Sequence, residues 1–145
     1  MALAVIPPAS IAATRRCPKL RVPATVDTLP NGLTLIVHED HSVPTVATNV
    51  WFHVGSGDEK PGRIGFAHLF EHLMFWGPST RRILQFDRLL ESAGASNNGT
   101  TNNDRTSYYE WGPSNAPLVL WLEADRMGWL LPTMDGAKVD AQREI

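Results

Sequence analysis

Gly65-Phe66-Ala67-His68-Leu69-Phe70-Glu71-His72-Leu73-Met74-Phe75 is the stretch on which the reading of this chain turns. It contains no proline and runs into Gly77-Pro78, a helix stop, so a helix is expected from about Gly65 to Phe75. Residues four apart on a helix differ by about 40° in direction and lie one turn above each other. His68 and His72 therefore project from one face, and Glu71 lies on its flank. Two imidazoles so placed can converge on one Zn²⁺ at about 2.0–2.1 Å each, while Glu71 can reach a water on the metal without being a ligand. Phe66, Leu69, Phe70, Leu73, Met74 and Phe75 hold the other positions, so the helix is expected to be buried on most sides and polar only along the His-Glu-His stripe. A lone histidine on such a helix is usually a satisfied core or surface residue. Two histidines and a glutamate at metal spacing are another matter, because burying unpaired polar groups on an apolar helix is costly.

The residue types suit one chemistry. Zinc lowers the pKa of a bound water from 15.7 to about 7. A carboxylate beside that water takes its proton during attack on a peptide carbonyl and can later pass it to the leaving amine. The ion polarises the carbonyl and holds the developing oxyanion.

Working outward, Leu29-Pro30-Asn31-Gly32 is a turn signal, since Asn-Gly readily takes positive φ. Leu33–His38 and Thr45–Val54 read as strands, and as neighbours paired antiparallel. Gly55–Gly62 is a loop by composition, with Asp58 and Glu59 as solvated loop residues. After the histidine helix a second helix fits Ile83–Ser92, with Phe86, Leu89 and Leu90 on one side and Gly94 past its end. Ala95–Asn103 is rich in Asn, Gly and Thr, and Thr106–Trp111 is strand-like; the two form a hairpin or adjacent strands, or the first is a plain polar loop. Ser114 or Asn115 can cap a long helix reaching about Trp129, with Pro117 tolerated in its first turn. On it Leu118, Trp121, Leu122, Asp125 and Trp129 share a face. A last helix begins near Ala137. The order β-β-α-α-β-β-α-α predicts an α+β fold, an α/β sandwich with helices packed on a largely antiparallel sheet. The five tryptophans, Trp51, Trp76, Trp111, Trp121 and Trp129, are expected as core or pocket walls. His38, His41 and His53 lack zinc spacing with the motif, and Asp104 and Arg105 are a candidate ion pair of little weight.

H-x-x-E-H is the inverzincin arrangement, the reverse of H-E-x-x-H. Its surroundings resemble the pitrilysin family of zinc metallopeptidases over nearly everything from Leu29 to Ile145. Leu29-Pro30-Asn31-Gly32-Leu33 resembles the family's opening hairpin, and Val50-Trp51-Phe52-His53-Val54-Gly55-Ser56 the strand and turn before its zinc helix. Asn98-Gly99-Thr100-Thr101 with Asp104-Arg105-Thr106 resembles the segment after its second helix, and Trp121-Leu122-Glu123-Ala124-Asp125-Arg126-Met127 its next long helix. The resemblance implies the N-terminal half-domain of the processing-peptidase-like metallohydrolase fold, with His68 and His72 as zinc ligands and Glu71 as catalytic base. It also implies that Asn98, Gly99, Thr100 and Thr101 belong to an edge strand that pairs with an extended peptide or protein substrate, main-chain bonds holding the chain while pockets read side chains. A glycine there permits close approach.

A catalytic zinc normally has three protein ligands. The family's third is a glutamate on a downstream helix whose start Gln142-Arg143-Glu144-Ile145 resembles, so it is expected just beyond Ile145. Neither Glu144 nor Glu123 aligns with it. The family also closes its chamber with a homologous second half or partner subunit. The chain thus reads as a fragment of a zinc endopeptidase, inactive alone; a non-catalytic homologous subunit or peptide-binding module is the alternative. A structural zinc domain fits poorly, since such sites are usually Cys-rich and the sole cysteine is Cys17.

With 145 residues, 43% hydrophobic and 19% charged, the chain suits one globular domain, assigned to 22–145, behind a 1–21 segment that is disordered or a remnant signal. Met1–Ala13 is mostly apolar and ends in small residues, but it lacks a positive charge before the apolar run and Pro7-Pro8 interrupts it. Export and cytoplasmic residence both stay open. A net charge of -2 with scattered basic residues argues against nucleic-acid binding, and no apolar tract reaches membrane-span length.

Overall fold

The Asn31-Gly32 turn folds its hairpin with the strand before it. The computed structural model describes residues 21–76, 85–114 and 116–143. The chain divides into two compact units at His41/Ser42. In the first, β1 (Thr25–Thr28) and β2 (Thr34–Val37) pair antiparallel, from Thr25↔Val37 to Thr28↔Thr34. The turn is closed by Leu29 N–H on Leu33 O and Gly32 N–H on Leu29 O, both 2.9 Å. This corrects the expected pairing: β2 takes β1 across a short turn, and the strand at Thr45 finds its partner far downstream.

In the second unit, β3 (Thr45–Phe52), β4 (Ser96–Thr101) and β5 (Thr106–Pro113) form an antiparallel sheet in the order β3-β5-β4. β3 pairs from Thr45↔Pro113 to Phe52↔Thr106, and β4 from Ser96↔Trp111 to Thr101↔Thr106. The polar Asn-Gly-Thr segment is therefore a strand, and of the readings open for it the hairpin is the one adopted. Burial alternates along β3, so that Val46, Thr48, Val50 and Phe52 face the helices.

The helices are α1 (Phe66–Met74), α2 (Gln85–Ser92), α3 (Ala116–Trp129) and α4 (Gly136–Arg143). α2 ends in a Schellman cap: Gly94 takes φ +73°, its N–H bonds Glu91 O at 2.9 Å, and Ala95 N–H bonds Leu90 O at 2.8 Å. Asp135 Oδ1 accepts from Lys138 N–H at 3.0 Å and caps α4. The expected starts at Ile83 and Asn115 lie outside the described residues, as do the segment before residue 21, Gly77-Pro78 and Glu144. α1 touches β4, β5 and α4. Among the described residues no helix is long and apolar enough to cross a membrane.

Phe86 and Leu90 of α2, Ala95, and Val119 and Leu122 of α3 form the apolar core, with Leu89 and Leu118 against it. Beside it the expected face of α3 holds at Leu118 and Leu122 and fails at its tryptophans. Its buried positions are Val119, Leu122, Glu123 and Arg126, whereas Trp121 and Trp129 are 56% and 62% exposed. Arg126 is fully buried; it donates to Glu110 Oε1 at 3.2 Å and to both Glu123 oxygens, and lies over the rings of Tyr108 and Phe86 at 4.3 and 4.9 Å. Two ionisable side chains, Glu123 and Arg126, thus share the inward stripe, where apolar periodicity assigns tryptophan. Trp51 and Trp111 are exposed as well, on the sheet's outer face, so four of the five tryptophans stand outside the core.

Candidate metal centre

The capping of α1 sets the site. Gly65 offers no side-chain oxygen, and the carboxylate of Glu59 takes over: Oε2 accepts Gly65 N–H and Oε1 accepts Ala67 N–H, each at 2.8 Å. A carboxylate there satisfies orphan donors and faces the positive end of the helix dipole. Asp58 is also engaged, accepting Gly55 N–H at 3.0 Å. Asp58 stays exposed as expected while making that bond, whereas Glu59, expected to be solvated, is half-buried and structural. The available signal was an acid shortly before a helix whose cap position is a glycine.

On α1 the Nε2 atoms of His68 and His72 approach to 3.1 Å, with ring centroids 4.7 Å apart. Tetrahedral zinc at about 2.0–2.1 Å from each nitrogen requires about 3.3 Å between them, so the pair fits two corners of such a site. Among the described residues no third His, Cys, Asp or Glu joins them. Glu123 is held by Arg126.

Glu71 is 8% exposed and accepts a hydrogen bond from Thr101 Oγ1 on β4. α1 is otherwise less buried than expected. Phe66 and Phe70 are exposed and, with Phe52, Met74 and Tyr108, line an open apolar pocket of about 410 Å³ away from the histidine face. Tyr108 packs edge-on against Phe52 and Phe75, and burial holds its phenol above the ordinary range against the pull of Arg126.

β4 ends the sheet on the side of α1. Asn102 N–H bonds Arg105 O at 2.8 Å at the hairpin turn. Hydrogen-bonded pairs alternate from there, so Thr100 and Asn98 turn their backbone groups to β5, and Thr101, Gly99 and Asn97 turn theirs to the free edge. Two contacts agree. Gly99 N–H is taken at 2.8 Å by Asn98 Oδ1. The Asn102 amide, oriented so that its oxygen accepts Arg105 Nη2 at 3.0 Å, donates to Thr101 O at 3.1 Å. Of the four candidate strand residues, Gly99 and Thr101 therefore present backbone to the edge, while Asn98 and Thr100 do so to β5. Gly99 also sits under α1: a Cβ there would lie 3.0 Å from the Phe75 ring and 3.2 Å from Glu71 Cγ. Arg105 makes no ion pair with Asp104; it donates to Thr100 Oγ1 at 2.8 Å and lies 4.8 Å over Trp51. His38 donates from Nδ1 to Pro23 O at 2.6 Å, and His41 and His53 are exposed.

Residues 34–126 match the family described as Insulinase (Peptidase family M16). The chain belongs to peptidase family M16. Among M16 relatives, it is 37% identical over 82 residues to a zinc protease of Streptomyces coelicolor, covering 57% of this chain and 18% of that one. It is 35% identical over 91 residues to the mitochondrial-processing peptidase subunit beta of Blastocladiella emersonii, covering 62% of this chain and 20% of that one. The crystal structure of a protease from Helicobacter pylori superposes with a TM-score of 0.79 at 27% identity, over 86% of this chain and 30% of that one. The α+β architecture expected from the sequence is thus an M16 fold. The chain spans about a fifth of the length of the curated relatives it matches.

Proposed function

We propose that this chain carries the zinc helix and substrate edge of an M16 metalloendopeptidase that hydrolyses peptide bonds in extended peptides or proteins. The single observation that carries the reading is the pair of Nε2 atoms at 3.1 Å on α1, one turn from the Glu71 carboxylate that bonds to β4. His68 and His72 would hold Zn²⁺, which relatives named zinc proteases imply. When bound, the ion supplies Lewis-acid charge to a carbonyl and to the acidity of a water. Glu71 acts as general base: its carboxylate accepts the proton of the attacking water and returns it to the leaving nitrogen. The Thr101 hydroxyl fixes the direction of that carboxylate. The edge-facing N–H and C=O groups of Gly99 and Thr101 receive the substrate backbone as an added strand, after Asn98 and Asn102 release the Gly99 N–H and the Thr101 C=O. A third ligand and a second half or partner subunit closing the chamber complete the site in the longer protein.

The test is Glu71→Gln in the full-length protein. Hydrolysis of an extended peptide should fall by about 10²–10⁴-fold with zinc content unchanged, the range of a lost general base. Unchanged hydrolysis would remove Glu71 from the mechanism. A full-length protein that binds peptide and never cleaves it would make the module non-catalytic.

A further inference from the structure

We infer that Glu59 is a positioning residue for the metal helix, tying the pitch of α1 to the substrate edge through a closed ring of bonds. The inference rests on α1 being the zinc helix. The ring begins at the β4–β5 turn. Asn102 O accepts Ser56 N–H at 3.0 Å, Asn103 O accepts Gly57 N–H at 2.7 Å, and Ser56 Oγ donates to Asn103 Oδ1 at 3.0 Å. The contact is close: a Cβ on Gly55, itself buried, would lie 2.2 Å from Asn102 O, so the turn at Ser56–Asp58 is pressed onto the hairpin. Glu59 follows directly and grips α1 through two N–H groups at 2.8 Å. α1 then returns to β4 through Glu71 and Thr101, adjacent in sequence to Asn102. Strand, turn, cap and helix close a loop of contacts on the second unit alone.

The geometry gives Glu59 a task beyond capping. An acceptor from the residue just before the helix would satisfy donors and leave the helix free to tilt. A carboxylate six residues upstream of Gly65, next to a turn whose Ser56 and Gly57 bond to the β4–β5 hairpin, fixes one end of α1 to the strand that Glu71 meets further along. His68 lies one turn inside that grip. A small change in tilt moves the two imidazoles differently relative to β4; groups bonded directly to a metal ligand typically carry about 10–100-fold in metal affinity, and Glu59, one step further out, is expected at the low end of that range.

The experiment titrates the chain with Zn²⁺ alone, by calorimetry well below its melting temperature. Glu59→Gln keeps the side-chain shape but turns an NH₂ group towards a backbone N–H. Zinc affinity should fall by about tenfold, Glu59→Asp should recover part of it, and amides 66–74 should exchange faster. Val119→Ala, a core change remote from α1, serves as a variant of matched stability. Glu59→Gln weakening zinc no more than Val119→Ala at equal melting temperature overturns the positioning role. Zinc uptake undiminished by His68→Ala in the parent chain refutes the metal reading itself, a separate result.

Discussion

Glu71 gives up nearly all its surface and gains one strong donor. Its neighbour on β4, Thr101, bonds Oε2 from Oγ1, and Thr106 at the opposite register position anchors its own hydroxyl on Val54 O at 2.9 Å. Hydrogen bonds to charged groups contribute about 1.5–3 kcal/mol. Thr101→Val keeps the shape and removes the donor, so in the full-length protein kcat/KM for a peptide should drop by about 10–100-fold. Zinc content should not change, and Thr101→Ser should retain most activity. Equal kinetics for Val and Ser would show that the hydroxyl does not orient the base. At this scale the motif was legible because helical spacing brings His68, Glu71 and His72 together within one element. The bonds that Glu59 and Thr101 make to α1 were not legible, because each reaches the helix from a different segment and no local period marks such a meeting. The edge strand was half legible: the segment Asn98–Thr101 could be named, but which residues turn their backbone outward depends on the bond parity set at Asn102 and Arg105.

Among elements, α3 departs furthest from its sequence pattern. Arg126 stands between two buried carboxylates, and Thr48 Oγ1 also donates to Glu110. One guanidinium cannot neutralise both acids. Burial first, and the hydrogen bond with Glu110 second, push Glu123 up to about 8 against the pull of Arg126. A protonated Glu123 leaves a neutral cluster and a donor for Glu110. A carboxyl raised in the folded state holds a proton that the unfolded chain releases near its ordinary 4.5. Its contribution is therefore fully present below pH 4.5, falls as pH rises through the window to about 8, and is gone above it. A full proton costs about 1.4 kcal/mol per pH unit in that window. Glu123→Gln should flatten this slope in denaturant titrations between pH 5 and 8. An unchanged slope would assign the proton elsewhere. Removing Arg126 instead leaves two unpaired acids, so the ion cluster is expensive to break although its net worth is small. Hydrophobic periodicity cannot foresee such a cluster, which is why Trp121 and Trp129 were assigned inward and found outward. α2, from Gln85 to its Gly94 cap, obeyed local rules and was legible.

For the molecule as a whole, apolar surface and metal valence point the same way. Phe66 and Phe70 border an open pocket, and Trp51 and Trp111 stand exposed on the outer sheet face, apolar surface of the kind that marks an interaction site. Its described residues also bring two nitrogens, and no third ligand, to the candidate site. Two imidazoles on a preformed helix bind Zn²⁺ weakly, and whatever binds the folded state alone stabilises it by mass action. At ten times the dissociation constant the gain is about 1.4 kcal/mol, which for a chain of this size raises Tm by about 3–6 °C. Tm should therefore climb gradually with Zn²⁺ and return on chelation, with His68→Ala and His72→Ala each abolishing the climb. A steep saturating rise at equimolar metal would mean that this chain already supplies a full ligand set. The same climb in both alanine variants would move the metal off α1 altogether, and the family's zinc chemistry could then not be assigned to this helix.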